Sequence, residues 1–431
     1  MVSRRRQRVL AVARVLGVRG LALARSWSRL LVAGRPDASA RAAARRVAAV
    51  ELRLTLEQLG VAATKVGQIL STRPDVLAPD FVEELGRLQD AAAPEPADVV
   101  EGVIESELGR PSTELFAAFD PVPLAAASIG QAHAATLPDG REVVVKVRRP
   151  GALEQVADDL GILERSVAVL TRWSRRARRI HLEDLVADFA ETLRAELDYE
   201  LEAANAERFA TEFAGRPEVH IPAVHRAETT TRVITIERIR GIKLDDVEAL
   251  DAAGIDRGAL AATAADVVLT MVFEHNFFHA DPHPGNFFVE ADGRLGIIDF
   301  GMVGTVDAST SAGLLALLAA LLGRDPDALG EAVSALGIGG PGIDRDGLLR
   351  DLGALLATHL DRPIGELAVG PLLNDVFGVF RRHRLRFPHR LALLAKTMAM
   401  CEGVAVQLDP TFRMMAVLVP YVERVAAGGS A

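Results

Sequence analysis

One stretch constrains this chain more tightly than any other: HADPHPGNFFVEADGRLGIIDFG, residues 279–301. Phe287, Phe288 and Val289 predict a short buried strand, Asp292-Gly293 a hairpin turn, and Leu295, Ile297 and Ile298 the return strand. Val272, Phe273, Phe277 and Phe278 supply an apolar lead-in. Asp281, Asn286 and Asp299 then fall at the mouths of two paired strands, where loops present side chains to a ligand. Two carboxylates and an amide oxygen are hard ligands, suited to Mg²⁺ held against phosphate oxygens. His275, His279 and His283 recur every four residues, but Pro282 and Pro284 break any helix that would align them as metal ligands.

The order His-x-Asp-x-x-x-x-Asn, then Asp-Phe-Gly, is the catalytic-loop and metal-loop arrangement of protein kinases. Here His279-Ala280-Asp281 stands for His-Arg-Asp, and Asn286 keeps the five-residue offset. Upstream, Val143–Val147 predicts a buried strand with one ammonium, Lys146, planted in it. An unpaired charge there is costly, so Lys146 needs an anionic partner. In the kinase plan this lysine contacts nucleotide phosphates and a helix glutamate. A helix expected over Leu182–Phe209 offers Glu196, Asp198, Glu200 and Glu202. Asp198 and Glu202 would share one side, with Glu196 pointing elsewhere, but periodicity alone does not choose the partner.

The chain has 431 residues and one cysteine, Cys401, which excludes an internal disulfide and a cysteine-based zinc site. Only Lys65, Lys146, Lys243 and Lys396 are lysines among 49 basic residues, so each is a position where an ammonium has displaced the habitual arginine. Residues 1–50 carry twelve arginines against one aspartate, leaving −20 on the remainder of a chain whose net charge is −9. Arg14, Arg19 and Arg25 interrupt the N-terminal apolar stretch, which argues against a secretory signal. The segment from Val9 to Leu31 is compatible with a basic amphipathic helix on anionic lipid, a solvated arm or a transit peptide. No uninterrupted apolar run reaches the length of a membrane span; the longest lies near Leu314–Leu322.

Residues 51–70 predict a helix with Leu52, Leu56, Leu59, Ala63, Val66 and Leu70 on one stripe, and Lys65 and Gln68 on a neighbouring face. Gly67 between them removes a side chain where another backbone can approach. A second helix is expected around Phe81–Leu88, then a linker at 91–96. Pro123–Gln131 predicts a small-residue loop opening a strand, and Asp139-Gly140 a hairpin turn. Glu237–Gly241 follows the strand Val233–Ile236 as a hinge, and residues 248–276 and most of 308–425 are expected to be helical.

Taken together the motifs resemble the UbiB-like, or AarF-domain, atypical kinases. The resemblance runs from about residue 50 to Asp409-Pro410. It rests on Lys65-Val-Gly-Gln68, Ser71-Thr-Arg-Pro-Asp75, Ala125-Ala-Ala-Ser128, Val145-Lys-Val147, Glu196-Leu-Asp198, Asn205, His279 to Asn286, and Asp299-Phe-Gly301. It implies an α+β, two-lobed protein-kinase-like fold with an N-terminal helical extension. The expected organisation is a basic arm (1–50), the extension (51–110), an N-lobe (111–237) and a mainly helical C-lobe (238–431).

Implied roles are catalysis by Asp281, Lys146 and Glu202, with Glu202 pairing Lys146. Nucleotide would be bound through Ala125, Ala126, Ala127, Ser128, Lys146 and Glu237, and metal through Asn286 and Asp299. Lys65, Gln68, Glu196 and Asp198 would form a regulatory contact. Arg148, in place of the usual glutamine, and Ala132 depart from the family pattern and are not expected to touch a motif residue.

The implied activity is an ATP- and Mg²⁺-dependent kinase or ATPase, with ATP or ADP as nucleotide, supporting ubiquinone, menaquinone or related lipid biosynthesis. Expected partners are a lipid or isoprenoid quinone precursor, an anionic membrane surface and quinone-biosynthesis proteins, with no nucleic acid. The expected location is cytoplasmic, peripheral to the inner membrane face, without a transmembrane helix. A protein substrate is not expected. An alanine-rich loop cannot fold over phosphates as a glycine-rich one does, and no Ala-Pro-Glu stretch follows Gly301 before a hydrophobic helix starts. Two alternatives stand beside this reading: a small-molecule phosphotransferase of the aminoglycoside-kinase type, a class that lacks the Lys-x-Gly-Gln helix, and a nucleotide-binding pseudokinase scaffold, against which the intact Lys146, Asp281, Asn286 and Asp299 argue.

Overall fold

The computed structural model describes residues 14–15, 17–19, 38–71, 77–88, 92–174, 178, 182–339, 343–359, 364–385 and 387–426. The segment Val9–Leu31 lies mostly, and residues 72–75 of the Ser-Thr-Arg-Pro-Asp motif wholly, outside them. Contacts divide the chain into two compact units, residues 1–199 with 226–235, and residues 200–225 with 236–431.

In the first unit the stripe expected over 51–70 is carried by two helices, Ala38–Leu59 and Val61–Ser71. Gly60, at φ 93°, breaks them, a conformation that costs glycine little. The stripe survives the break: Leu56, Leu85 and Leu88 are buried, with Leu52, Ala63 and Leu70 packed on them. At Gly67 it is these leucines, not a backbone, that use the space. An added Cβ would sit 2.2 Å from Leu88 Cδ1 and 2.8 Å from Leu56 Cδ1. The next helix, expected to reach Leu88, is Pro79–Leu85.

A four-stranded sheet follows, ordered Ala118–Ala126, Gly130–Thr136, Glu142–Arg148, Val233–Glu237, with the first three antiparallel. Ala125 and Ala126 are therefore strand, and only the residues beyond them form the small-residue loop. Val143, Val145 and Val147 are buried and pack with Val100, Val103 and Ile104 of the helix Ala97–Leu108. Alternation along a strand puts Lys146 on the opposite face. Ala132 is its cross-strand partner, so this departure does neighbour a motif residue.

The helix expected over 182–209 is two helices, Leu182–Glu196 and Tyr199–Glu212. The ladder ends because remote groups take its polar atoms. The buried Arg148 guanidinium donates to the Leu197 carbonyl, and Tyr199 N–H donates to Thr231 O at 3.2 Å. Asp198 thus lies between helices, and its expected i,i+4 relation to Glu202 does not apply. Arg148 also donates to Thr231 O at 3.2 Å. The second departure from the family pattern therefore holds the centre of Glu196-Leu-Asp198, contrary to expectation.

The second unit is built on the buried helix Arg257–Phe273, which packs against His389–Leu408. The hairpin forms as expected: Phe287–Val289 pairs antiparallel with Leu295–Ile297, and Gly293 sits at φ 87°. Ile242–Lys243 and Val219–His220 extend it on either side. Phe277–His279 pairs instead with Val303–Thr305, beyond Gly301. Among the described residues five further α-helices follow, the first being Ala308–Gly323.

By length and composition His389–Leu408 could cross a membrane, and half of it is buried inside the protein. Its charges mark it as a core helix. Glu402 is buried and accepts from Val369 N at 2.9 Å and Gly370 N at 3.0 Å, capping the helix Val369–His383. An apolar helix whose carboxylate satisfies a neighbour's orphan N–H groups is fitted to a protein interior.

Replacing Arg148 with methionine keeps its stem and removes the donors to Leu197 and Thr231. Tyr199 N–H still serves Thr231 O, but leaving the Leu197 carbonyl unsatisfied costs about 1–3 kcal/mol. The expected outcome is a lower melting temperature for R148M; an unchanged one would remove Arg148 as the brace of the helix break.

Candidate active site

The second unit brings Asp281, Asn286 and Asp299 onto adjoining loops. Ile298 N donates to Asn286 O at 2.9 Å, and Ala280 N to Met302 O at 3.0 Å, so the backbones of the two loops run side by side. Asn286 is buried and its Nδ2 donates to Asp281 O at 3.2 Å. An amide oriented this way has Oδ1 to offer a cation. Asp299 has φ 65°, in the left-handed region, and Gly301 N–H meets its Oδ1 at 3.3 Å. Aspartate tolerates that conformation better than most residues, and such strain concentrates at functional sites.

His279 ties these loops together. Asp281 N–H donates to Nδ1 at 3.2 Å, which places the proton on Nε2, 3.3 Å from Ile298 O. The ring is 1% exposed, with Phe209, Phe287 and Phe300 around it at 5.8–6.5 Å between ring centres. Burial lowers its pKa from 6.5, against the opposing pull of the Asp299 and Asp281 charges. The aromatic run of the motif thus keeps this imidazole uncharged.

Two further side chains act on the same loops. Asn205, on the helix that carries Glu202 three residues earlier, donates from Nδ2 to Phe300 O at 2.9 Å. Lys396 Nζ lies 3.0 Å from Asp281 Oδ1. In the sequence Lys396 stands out only as one of four lysines, and no motif points to it. Asp281 Oδ2 is 3.8 Å from His283 Nε2.

For Mg²⁺, the donors present are of the right chemistry, since Asp299 and Asn286 are hard oxygen ligands on adjoining loops. Among the described residues no group of three or more His, Cys, Asp or Glu could hold a metal, so a cation here needs phosphate or water ligands as well. Glu202 is buried, and Glu237 engages Ala223 N at 3.1 Å and His220 Nε2 at 3.3 Å through Oε2.

In the first unit, Lys146 stands on its strand as expected. The alanine-rich loop is braced. Ala127 N donates to Gly130 O at 2.8 Å, Arg149 Nε to Ala127 O at 2.8 Å, and Ala92 N to Ala126 O at 3.2 Å. Arg149 also binds Glu95 and the Ala93 carbonyl, so the expected linker is a strap across the loop. None of Ala125, Ala126 and Ala127 adopts positive φ. Of the two acids left open for Lys65, Glu196 takes it, Nζ to Oε1 at 3.1 Å, with side chains 16% and 15% exposed. Gln68 donates elsewhere, from Nε2 to Leu88 O at 3.2 Å.

A folded-state pKa held below the unfolded value makes His279 cost stability on acidification. Unfolded chains take up a proton below about pH 6.5 while the native ring does not, at up to ~1.4 kcal/mol per pH unit. In metal-free buffer, H279Q should be less stable than wild type at pH 7.5. Its melting temperature should then fall less steeply from pH 6.5 to 5. Parallel pH profiles would clear His279 of that role.

Residues 87–333 match the ABC1 atypical kinase-like domain and residues 352–413 the UbiB helical domain. A probable protein kinase UbiB from Marinobacter nauticus is 38% identical over 380 residues, 86% of this chain and 69% of that protein. Its counterpart in Xanthomonas campestris pv. campestris is 39% identical over 413 residues, 93% and 74%. The uncharacterized protein sll0005 of Synechocystis is 36% identical over 88% of this chain, which spans only 56% of that protein. Among solved structures, the Rv3197–erythromycin complex from Mycobacterium tuberculosis matches with TM-score 0.58 and 28% identity, over 86% of this chain and 94% of that one. With an α+β, two-lobed kinase-like fold and these relatives, the chain belongs to the UbiB family of ABC1 atypical kinase-like proteins.

Proposed function

We propose that the protein binds ATP with Mg²⁺ and acts as an atypical kinase or ATPase in isoprenoid quinone or related lipid biosynthesis at a membrane surface. The observation that carries this reading is the set Asp281, Asn286 and Asp299 on two loops clamped by a neutral His279. In this reading Asp281 receives the acceptor's proton, Asn286 and Asp299 hold the metal, and Lys146 holds phosphate oxygens and pairs with Glu202. The strand and loop Ala125–Ser128 cover the nucleotide. Because the Glu237 carboxylate is already engaged, main chain there would meet the base. The proposed lobes divide near residue 237, with residues 51–110 as the extension.

The relatives are named protein kinases, but only residues 302–307 separate Gly301 from the next helix. So short a segment offers little platform for a peptide, which favours a small-molecule or lipid acceptor. Lys65 with Glu196 restrains the nucleotide unit from within it, Gln68 fixes the extension, and Asp198 sits beside the brace at Leu197. Peripheral membrane contact is supported by the arginine-rich residues 1–37 and by Trp173, 85% exposed beside exposed Val169 and Leu170.

D299N should abolish most of the Mg²⁺-dependent thermal shift produced by ATP, since it removes a hard anionic ligand. An equal shift for wild type and variant would sink the metal assignment. A strain lacking the gene should lose quinone or accumulate a precursor, and K146A should fail to restore it; a normal lipid profile counts against the pathway. Removal of residues 1–35 should weaken sedimentation with anionic vesicles, each basic residue near such a surface contributing about 1 kcal/mol. Equal binding to neutral and anionic vesicles would reject the electrostatic component.

A second reading has one observation in its favour, the similarity to a protein solved with erythromycin. A macrolide-sized ligand would then raise the melting temperature with or without ATP.

A further inference from the structure

We propose that Lys396, contributed by the helical region outside the catalytic loop, is a positioning residue that occupies one oxygen of Asp281 and leaves the other for the acceptor. The inference rests on the kinase or ATPase reading and names a part of the site that the motifs do not contain. Lys396 Nζ is 3.0 Å from Asp281 Oδ1, and the two side chains are 19% and 34% exposed. The lysine stands on His389–Leu408 between the buried Leu394 and Thr397, so the core of the unit fixes where its stem begins. Among the described residues, the basic groups within 4 Å of the Asp281 carboxylate are Lys396, on Oδ1, and His283, which is 3.8 Å from Oδ2.

The charge at this place has a chemical reason. In transfer from ATP, the acceptor oxygen of a hydroxyl or water forms a bond to the γ-phosphorus. The bond from that phosphorus to the bridging oxygen breaks, ADP leaves with its electron pair, and the acceptor proton passes to Asp281. A carboxylate facing the γ-phosphate also repels it. An ammonium on the far oxygen offsets that repulsion and holds the near oxygen toward the acceptor.

The choice of lysine fits the same requirement. Arginine supplies 45 of the 49 basic residues, yet a guanidinium fork engages both oxygens of a carboxylate. A compact ammonium engages one.

The test uses the full chain and four variants, K396M, K396R, D281N and the double variant K396M/D281N. Mg·ATP binding is measured by calorimetry, ADP release with and without added acceptor, and folding by melting temperature. K396M and K396R should each bind Mg·ATP within threefold of wild type and lose at least tenfold in kcat. K396R should keep a near-native melting temperature, so a lost salt bridge cannot account for its slow turnover. The double variant should be no slower than D281N, because a residue acting through Asp281 has nothing to add once that carboxylate is gone.

Full turnover in K396M or K396R, or additive losses in the double variant, would overturn the proposal. Should K396M fail to fold, K396R and D281N carry the same comparison. A wild-type chain that does not bind Mg·ATP sinks the nucleotide reading itself, and one that binds without turning over overturns the catalytic role of both residues. Turnover in wild type that is unaffected in the lysine variants rejects Lys396 alone.

Discussion

An imidazole that stays uncharged is the pivot of the acid-bearing loops. His279 accepts from Asp281 N–H on one side and donates to Ile298 O on the other, which requires a single tautomer. A second proton would set two donors against each other at Nδ1. The surrounding sequence serves that condition: Phe209, Phe287 and Phe300 keep water away, and the buried Pro282 has no N–H to satisfy. Gly304, opposite Phe278 in the next strand, leaves room for its ring, since a Cβ would lie 2.2 Å from it. Aromatics, prolines and glycine around the acids are thus one solution to holding two carboxylates near an interior ring.

The first unit solves a different problem, how to hold an alanine-rich loop in place. Alanine confines the loop to ordinary φ, and the chain then braces it from outside. Arg149 reaches the Ala127 carbonyl, the Ala93 carbonyl and Glu95, while Glu95 N–H donates to Gln131 Oε1 at 2.7 Å. Gln131 in turn meets the buried His133 at 2.8 Å. The loop is therefore coupled to the strap before the Ala97–Leu108 helix. A substitution in that strap can alter the loop without touching it.

Elements whose cause is local were legible in the sequence. The hairpin after Asn286 follows from alternating apolar residues and Asp-Gly, and the Lys146 strand from a valine run. The two broken helices were not, because their apolar stripes continue through the breaks. What ends the ladder at Leu197 is Arg148 and Thr231, and no periodicity within 182–209 carries that information. The same limit applies to Arg148 and Ala132, whose neighbours emerge only with the strand register and the fold. The scarcity of lysine was a useful mark. Lys65 and Lys396 each meet a carboxylate at about 3 Å, whereas Lys243 is simply exposed. Which carboxylate each one meets depends on contacts across 131 and 115 residues, beyond the reach of pattern.

That last separation bears on how the protein comes into being. A chain leaving the ribosome presents Asp281, Asn286 and Asp299 well before Lys396 exists. The hairpin can close from local sequence alone, but the acid at its mouth acquires its cation only when a helix 115 residues later has docked on Arg257–Phe273. Until then the loop's own His283 is the basic group beside that carboxylate. The Asp281–Lys396 pair therefore forms only as the core of the second unit closes, on a helix synthesised long after the loop.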